Sequence, residues 1–220
     1  MSSIYPVEVE ARVKSLRDRL DRVGGSAVTV VAVTKTFGPD AIDAAVSAGL
    51  ANIGENYAQE TVAKLPDVTT VPTVHFIGQL QRNKVRTLAP WVDVWQTVDR
   101  LALATEIAKR APAARVMVQV DISGEERKGG CEPGDTESLV TACADAGLEV
   151  VGLMGVALLA EPEAARPGFR LLRSLTDRLG LQHCSMGMSA DLEVAVDEGA
   201  TMVRVGRDLF GPRPATSPQR

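Results

Sequence analysis

Short apolar runs alternate with amphipathic stretches along almost the whole chain. Val9, Val13, Leu16, Leu20 and Val23 recur at helical spacing with arginines and aspartates between them, and Gly24-Gly25 supplies a stop. This predicts an opening helix. A β-branched run from Val30 follows and leads into Lys35, after which Pro39 stands at the first position of an Ala-rich helical segment closed by Gly49. The same strand-then-helix unit is then predicted at 51–54 and 55–64, 74–78 and 79–88, 92–98 and 101–110, and 115–122 and 136–146. It recurs at 150–157 and 168–179, at 183–187 and 189–198, and at 201–206 with a short segment at 208–210.

Eight such units imply an α/β protein with a parallel sheet and right-handed crossovers, because only that hand packs each helix back on the sheet. They favour a single (β/α)8 TIM barrel with an additional N-terminal helix over an open doubly wound sheet. The open sheet is the alternative, but no strand is followed by G-x-G-x-x-G or by G-x-x-x-x-G-K-[ST]. The barrel is expected over residues 1–211, and the tail 212–220 is expected to be disordered.

Composition narrows the partners. The chain has 220 residues, 45% hydrophobic and 24% charged, which suits one ordinary globular core, and with 4% aromatics that core must be mostly aliphatic. A net charge of −4 gives no electrostatic footprint for nucleic acid or an anionic membrane. Cys131, Cys143 and Cys184 are an odd number without C-x-x-C spacing, so reduced thiols in a cytoplasmic protein are expected, not a disulfide framework or a zinc site. Glu8, Glu10 and Arg12 stand where a signal peptide would have an apolar core, and no run approaches the roughly 20 residues of a membrane span.

In a closed barrel, functional groups gather at the carboxyl ends of the strands. The first strand delivers Lys35, the second leads into Asn56, the sixth ends near Met154, the seventh gives Ser185 and Met188, and the eighth gives Arg204, Gly206 and Arg207. Phosphate sites in such barrels commonly use the loops after strands seven and eight and a short extra helix. Gly206 with the amide of Arg207 fits that role, and Ser185 could donate its hydroxyl. Taken singly, each has a plainer explanation: a solvent-facing lysine, a strand-ending glycine, methionines filling a core. No histidine or carboxylate cluster has metal-ligand spacing.

The ordered motifs Val33-Thr34-Lys35-Thr36, Gly54-Glu55-Asn56-Tyr57-Ala58-Gln59-Glu60, His75-Phe76-Ile77-Gly78-Gln79-Leu80-Gln81-Arg82-Asn83-Lys84, Gly152-Leu153-Met154, Ser185-Met186-Gly187-Met188-Ser189 and Thr201-Met202-Val203-Arg204-Val205-Gly206 together carry a resemblance. The chain resembles the pyridoxal phosphate homeostasis proteins over nearly its whole length. The resemblance implies a fold-type III barrel related to the amino-terminal domain of alanine racemase, with pyridoxal 5′-phosphate held as a Schiff base on Lys35. It implies that Asn56 contacts the cofactor, that Ser185 and the Gly206–Arg207 backbone hold the phosphate, that Arg204 faces the pyridine nitrogen, and that Met154 and Met188 are neighbours.

That arginine has a chemical consequence. A guanidinium only donates, so it leaves the pyridine nitrogen unprotonated and the ring a weak electron sink, which favours carrying or buffering the cofactor over processing an amino acid. The alternative is an amino-acid racemase using Lys35, which needs a second acid/base on the opposite face; Tyr5, Tyr57, Cys131 and His75 are the conceivable sources. Expected partners are pyridoxal phosphate and the apo-enzymes that accept it. A monomer is expected because no second domain is present, and Arg82-Asn83-Lys84 has no derivable role beyond a solvated helix face.

Overall fold

A computed structural model describes residues 5–125, 128–158 and 161–212. Eight parallel strands close into a barrel in sequence order, β8 pairing with β1. The strands are β1 (Thr29–Val33), β2 (Asn52–Glu55), β3 (Thr73–Phe76), β4 (Val94–Val98), β5 (Arg115–Val120), β6 (Glu149–Gly155), β7 (His183–Ser185) and β8 (Met202–Val205). Around them lie α1 (Pro6–Arg22), α2 (Pro39–Ser47), α3 (Ala58–Lys64), α4 (Arg82–Leu88), α5 (Leu101–Arg110), α6 (Thr136–Asp145), α7 (Arg166–Arg178), α8 (Leu192–Asp197) and the four-residue α9 (Arg207–Phe210). The (β/α)8 expectation and the additional helix before β1 are both met. The expected disordered tail falls almost wholly on residues 213–220, outside the described residues.

Alternation along each strand divides the core in two. One set of side chains, Val30, Ala32, Ile53, Phe76, Trp95, Val203 and Val205 among them, packs outward under the helices. The other set fills the barrel interior, where Val31, Val94, Met117, Met154 and Met202 form a small apolar cluster. Methionine suits that space because its flexible thioether fills irregular gaps. The structure thus gives Met154 the packing role of an interior core residue, 1% exposed.

Helix α1 buries Val9, Val13, Leu16 and Leu20. Arg19 ties it to the far end of the chain, pairing with Glu193 of α8 at 2.8 Å and Asp208 of α9 at 2.6 Å, and donating to the carbonyl of Ser189 at 3.2 Å. The helix therefore braces the segments that follow β7 and β8.

Candidate functional site

Strand β1 ends at Val33, two residues short of Lys35. The chain turns there: Phe37 N–H donates to Thr34 O at 3.2 Å, and Thr36 takes a left-handed φ of 70° that non-glycine residues seldom adopt. A buried ionic group beneath this turn holds it. The Lys64 ammonium reaches Glu55 at 2.7 Å and Glu60 at 2.9 Å and donates to the carbonyls of Thr34 at 2.8 Å and Phe37 at 3.2 Å. Thr34 Oγ1 donates to Glu55, and the Thr36 N–H donates to Glu60 at 2.6 Å. Both neighbours of Lys35 are thereby clamped, which assigns work to the two glutamates of the Gly54–Glu60 motif. Burial pushes the Glu55 carboxyl above its ordinary range against the pull of Lys64.

Lys35 borders a pocket of about 260 Å³ with Val33, Phe37, Gly206, Arg207, Gly211 and Pro212. A lysine amine and the backbone at the start of α9 therefore share one cavity at the β1–β8 seam. A Cβ on Gly206 would stand 3.2 Å from Val33 O, so a glycine lets β8 lie close to β1 here. A larger cavity of about 520 Å³ lies over β2 to β4, lined by Asn56, Tyr57, Gln79, Lys84 and Arg100 among others, and Lys35 is not in its lining. Asn56 lines this larger cavity just past the end of β2, whose Gly54 pairs with Val33 at the end of β1, and its buried Oδ1 has no hydrogen-bond partner. Gly78 packs so close to Asn56 that an added Cβ would fall 2.1 Å from Asn56 O.

Arg204 and Ser185 lie deeper, inside the barrel. Arg204 is 5% exposed; it donates to Ser185 Oγ at 2.7 Å and to Gly155 O at 2.7 Å, and burial brings its pKa down to about 10, leaving it cationic at neutral pH. Ser185 is level with Met202, and Gly206 is four residues further along β8, about 13 Å at the rise of a strand. Its hydroxyl, inside the barrel, is also engaged with Gln96 Oε1 at 2.8 Å. Met188 is half-buried, its amide donating to Asp191 at 2.6 Å, and Arg207 is exposed. Ser189, the second serine of the Ser185–Ser189 motif, lies near Asp208 of α9, Arg19 donating to its carbonyl and to the Asp208 carboxylate.

The residues named as possible second bases are differently disposed. Tyr57 is 51% exposed on the rim, and Tyr5 is exposed ahead of α1. Burial raises the Cys131 thiol, while His75 has both ring nitrogens bonded, to Asn52 at 3.0 Å and Gln96 at 2.8 Å. Among the described residues no group of three or more His, Cys, Asp and Glu side chains could hold a metal ion, and no helix is long and apolar enough to cross a membrane.

The alanine racemase N-terminal domain model matches residues 7–214. A Pseudomonas aeruginosa pyridoxal phosphate homeostasis protein is 39% identical over 222 residues, covering 96% of this chain and 95% of that one. The chain belongs to the pyridoxal phosphate homeostasis protein family. The human family member is 36% identical over 211 residues, covering 84% of this chain and 76% of its own length. PipY of Synechococcus elongatus PCC7942, solved with PLP bound, superposes with a TM-score of 0.83 at 31% identity, covering 92% of this chain and all of that one. The family resemblance read from the motifs is thus confirmed at the level of the whole chain.

One acid-base feature inside this homeostasis-family barrel is testable directly. Burial, aided by the positive charges of Arg115 and His183, brings His75 from 6.5 down to about 4. Between those values the unfolded chain binds a proton that the folded one refuses, so stability rises with pH in that window and is lost as pH falls through it. Acidification toward 4 should remove up to about 3 kcal/mol on this account. Urea unfolding at neutral pH and at about pH 4 checks it: His75→Gln should show a visibly smaller acid loss than the parent, and equal losses would exclude His75 as the source.

Proposed function

We propose that this protein binds pyridoxal 5′-phosphate through Lys35 and holds or hands on the cofactor without turning over an amino acid. The observation that carries this is the one pocket bordered both by Lys35 and by the Gly206–Arg207 segment, an amine and the backbone at the start of α9 at one strand seam. The unpartnered, buried Oδ1 of Asn56, at the end of the neighbouring strand β2, is an orphan polar group of the kind expected where a polar ligand completes a site. The relatives are named for pyridoxal phosphate homeostasis, and PipY is described with PLP bound.

Lys35 supplies the amine that bonds to the cofactor, and the clamp on Thr34 and Thr36 aims it. Asn56 offers a hydrogen-bond acceptor from the β2 side. The backbone of Gly206 and Arg207, with the Ser189 segment in place of Ser185, takes the phosphate. Arg204 sits below as a cation that can give a hydrogen bond to a ring nitrogen but keeps its proton. When bound, pyridoxal phosphate supplies an electrophilic carbon and, if its ring nitrogen is protonated, an electron sink; the Arg204 arrangement withholds that proton. Cytoplasmic placement, a monomeric state and apo-enzymes as recipients belong to the same proposal.

The deciding experiment loads the protein with pyridoxal phosphate, presents it to an apo-enzyme, and in parallel incubates it with single-enantiomer alanine. Cofactor transfer without measurable racemisation is expected. Lys35-dependent racemisation with turnover would replace the carrier reading by the enzyme one.

A further inference from the structure

We propose that Gln96 and His75 are positioning residues for Arg204, acting through Ser185 by a one-directional chain of hydrogen bonds across the inside of the barrel. This rests on the cofactor-carrying function proposed above. Five strands contribute to the chain. Arg204 Nη1 lies 2.7 Å from Ser185 Oγ, Ser185 Oγ 2.8 Å from Gln96 Oε1, Gln96 Nε2 2.8 Å from His75 Nδ1, and His75 Nε2 3.0 Å from Asn52 Oδ1.

Donor chemistry and the orientation of the Gln96 amide together set the direction of the chain. A guanidinium has no acceptor, so Ser185 Oγ must accept from Arg204, and its one proton goes to Gln96 Oε1. The Gln96 amide then turns its NH2 group toward His75, which must present a bare Nδ1. The proton of a neutral imidazole therefore sits on Nε2 and is donated to Asn52 Oδ1. The depressed His75 pKa agrees with the neutral ring this requires. A flipped Gln96 would instead make Ser185 accept from both Arg204 and Gln96, leaving its own proton without this acceptor, and would require His75 to carry its proton on Nδ1.

The surroundings make this chain consequential for Arg204. The apolar side chains of Val31, Val94, Met117, Met154 and Met202 offer no oxygen acceptor; the hydrogen bonds described for the guanidinium go to Ser185 and Gly155 O, and the buried Asp191 carboxylate acts on it through charge. Ser185 can hold one orientation because Gln96 takes its proton, and Gln96 is held in turn by His75 and by a 3.1 Å contact to Met202 Sδ. Apolar residues of similar volume would fill a barrel core at no loss of stability, so a buried cation with a fully oriented polar chain calls for a role beyond packing. That role is to set the direction of the Arg204 N–H groups toward the cofactor ring.

Two measurements test it. In wild-type protein without cofactor, side-chain nitrogen NMR should find His75 as the neutral Nε2–H tautomer, and in Gln96→Glu, where a carboxylate accepts at that position, as a ring protonated on Nδ1. In protein loaded with pyridoxal phosphate, Gln96→Met and Ser185→Ala should shift the absorbance of the Lys35-bound cofactor in the direction that Arg204→Gln shifts it. Both should release the cofactor about tenfold faster, the effect of one lost hydrogen bond. Met117→Leu, a packing change in the same interior, should leave spectrum and release unchanged. An Nδ1–H tautomer in the wild type, or wild-type spectra in both Gln96→Met and Ser185→Ala, overturns the inference while the adduct stands. If Gln96→Met does not fold, the wild-type tautomer and Ser185→Ala decide. Absence of any Lys35 adduct in the wild type overturns the carrier function itself.

Discussion

Replacing Lys35 with alanine is expected to leave a folded protein that no longer retains pyridoxal phosphate through borohydride reduction and denaturation, whereas the wild type retains it in stoichiometric amount. The fold should tolerate the change because Lys35 is only half-buried in a turn whose geometry is imposed by its neighbours, and such substitutions usually stay within about 0.5 kcal/mol. The binding loss should be near complete because the other lysines do not share the pocket. Lys64 is spent on two carboxylates and two carbonyls, and Lys84 lines the separate cavity over β2 to β4. Mass analysis of reduced protein checks it. Stoichiometric cofactor on Lys35→Ala would move the attachment elsewhere and remove the β1–β8 pocket from the mechanism.

What the sequence made legible follows from what is local. Eight alternations of apolar run and amphipathic stretch are local, and they prescribed the barrel; α5 begins and ends where its periodicity places it. The strand at β1 was read as running to Lys35 because the turn after Val33 is imposed by Lys64 and Glu60, 30 and 24 residues from Thr34 and Thr36, and leaves no local mark. Glu55 was assigned to the start of a helix but closes β2, its side chain outward under α3, where the partner that makes burial tolerable is Lys64, nine residues on. The depth of Ser185 was not legible because it depends on the stagger of β7 against β8, a property of the closed barrel that no single segment carries. Gln96 left a faint signal, an amide at an inward position of a fully buried strand. The position of Arg204 at the eighth strand was legible; its dependence on β3, β4 and β7 was not.

Lys64→Met should destabilise the fold by about 3–5 kcal/mol, the cost of leaving a buried charge without its partner. Glu55 is fully buried, and without the ammonium it keeps only the Thr34 hydroxyl, its other oxygen already lacking a partner. The pH dependence distinguishes this from lost packing. Burial already raises the Glu55 carboxyl, and removing Lys64, the main opposing influence, raises it further. The folded variant then keeps a proton that the unfolded chain releases at the ordinary carboxylate value, so its stability falls as pH rises above that value and recovers on acidification. The gap to wild type should therefore be widest at neutral pH, and Glu55→Gln combined with Lys64→Met should regain much of the loss, because a neutral pair carries no uncompensated charge. A deficit unchanged by pH and by Glu55→Gln would assign the cost to packing. Because Lys64 and Glu60 also grip the residues on either side of Lys35, the single variant should capture pyridoxal phosphate more slowly even under conditions where it is fully folded.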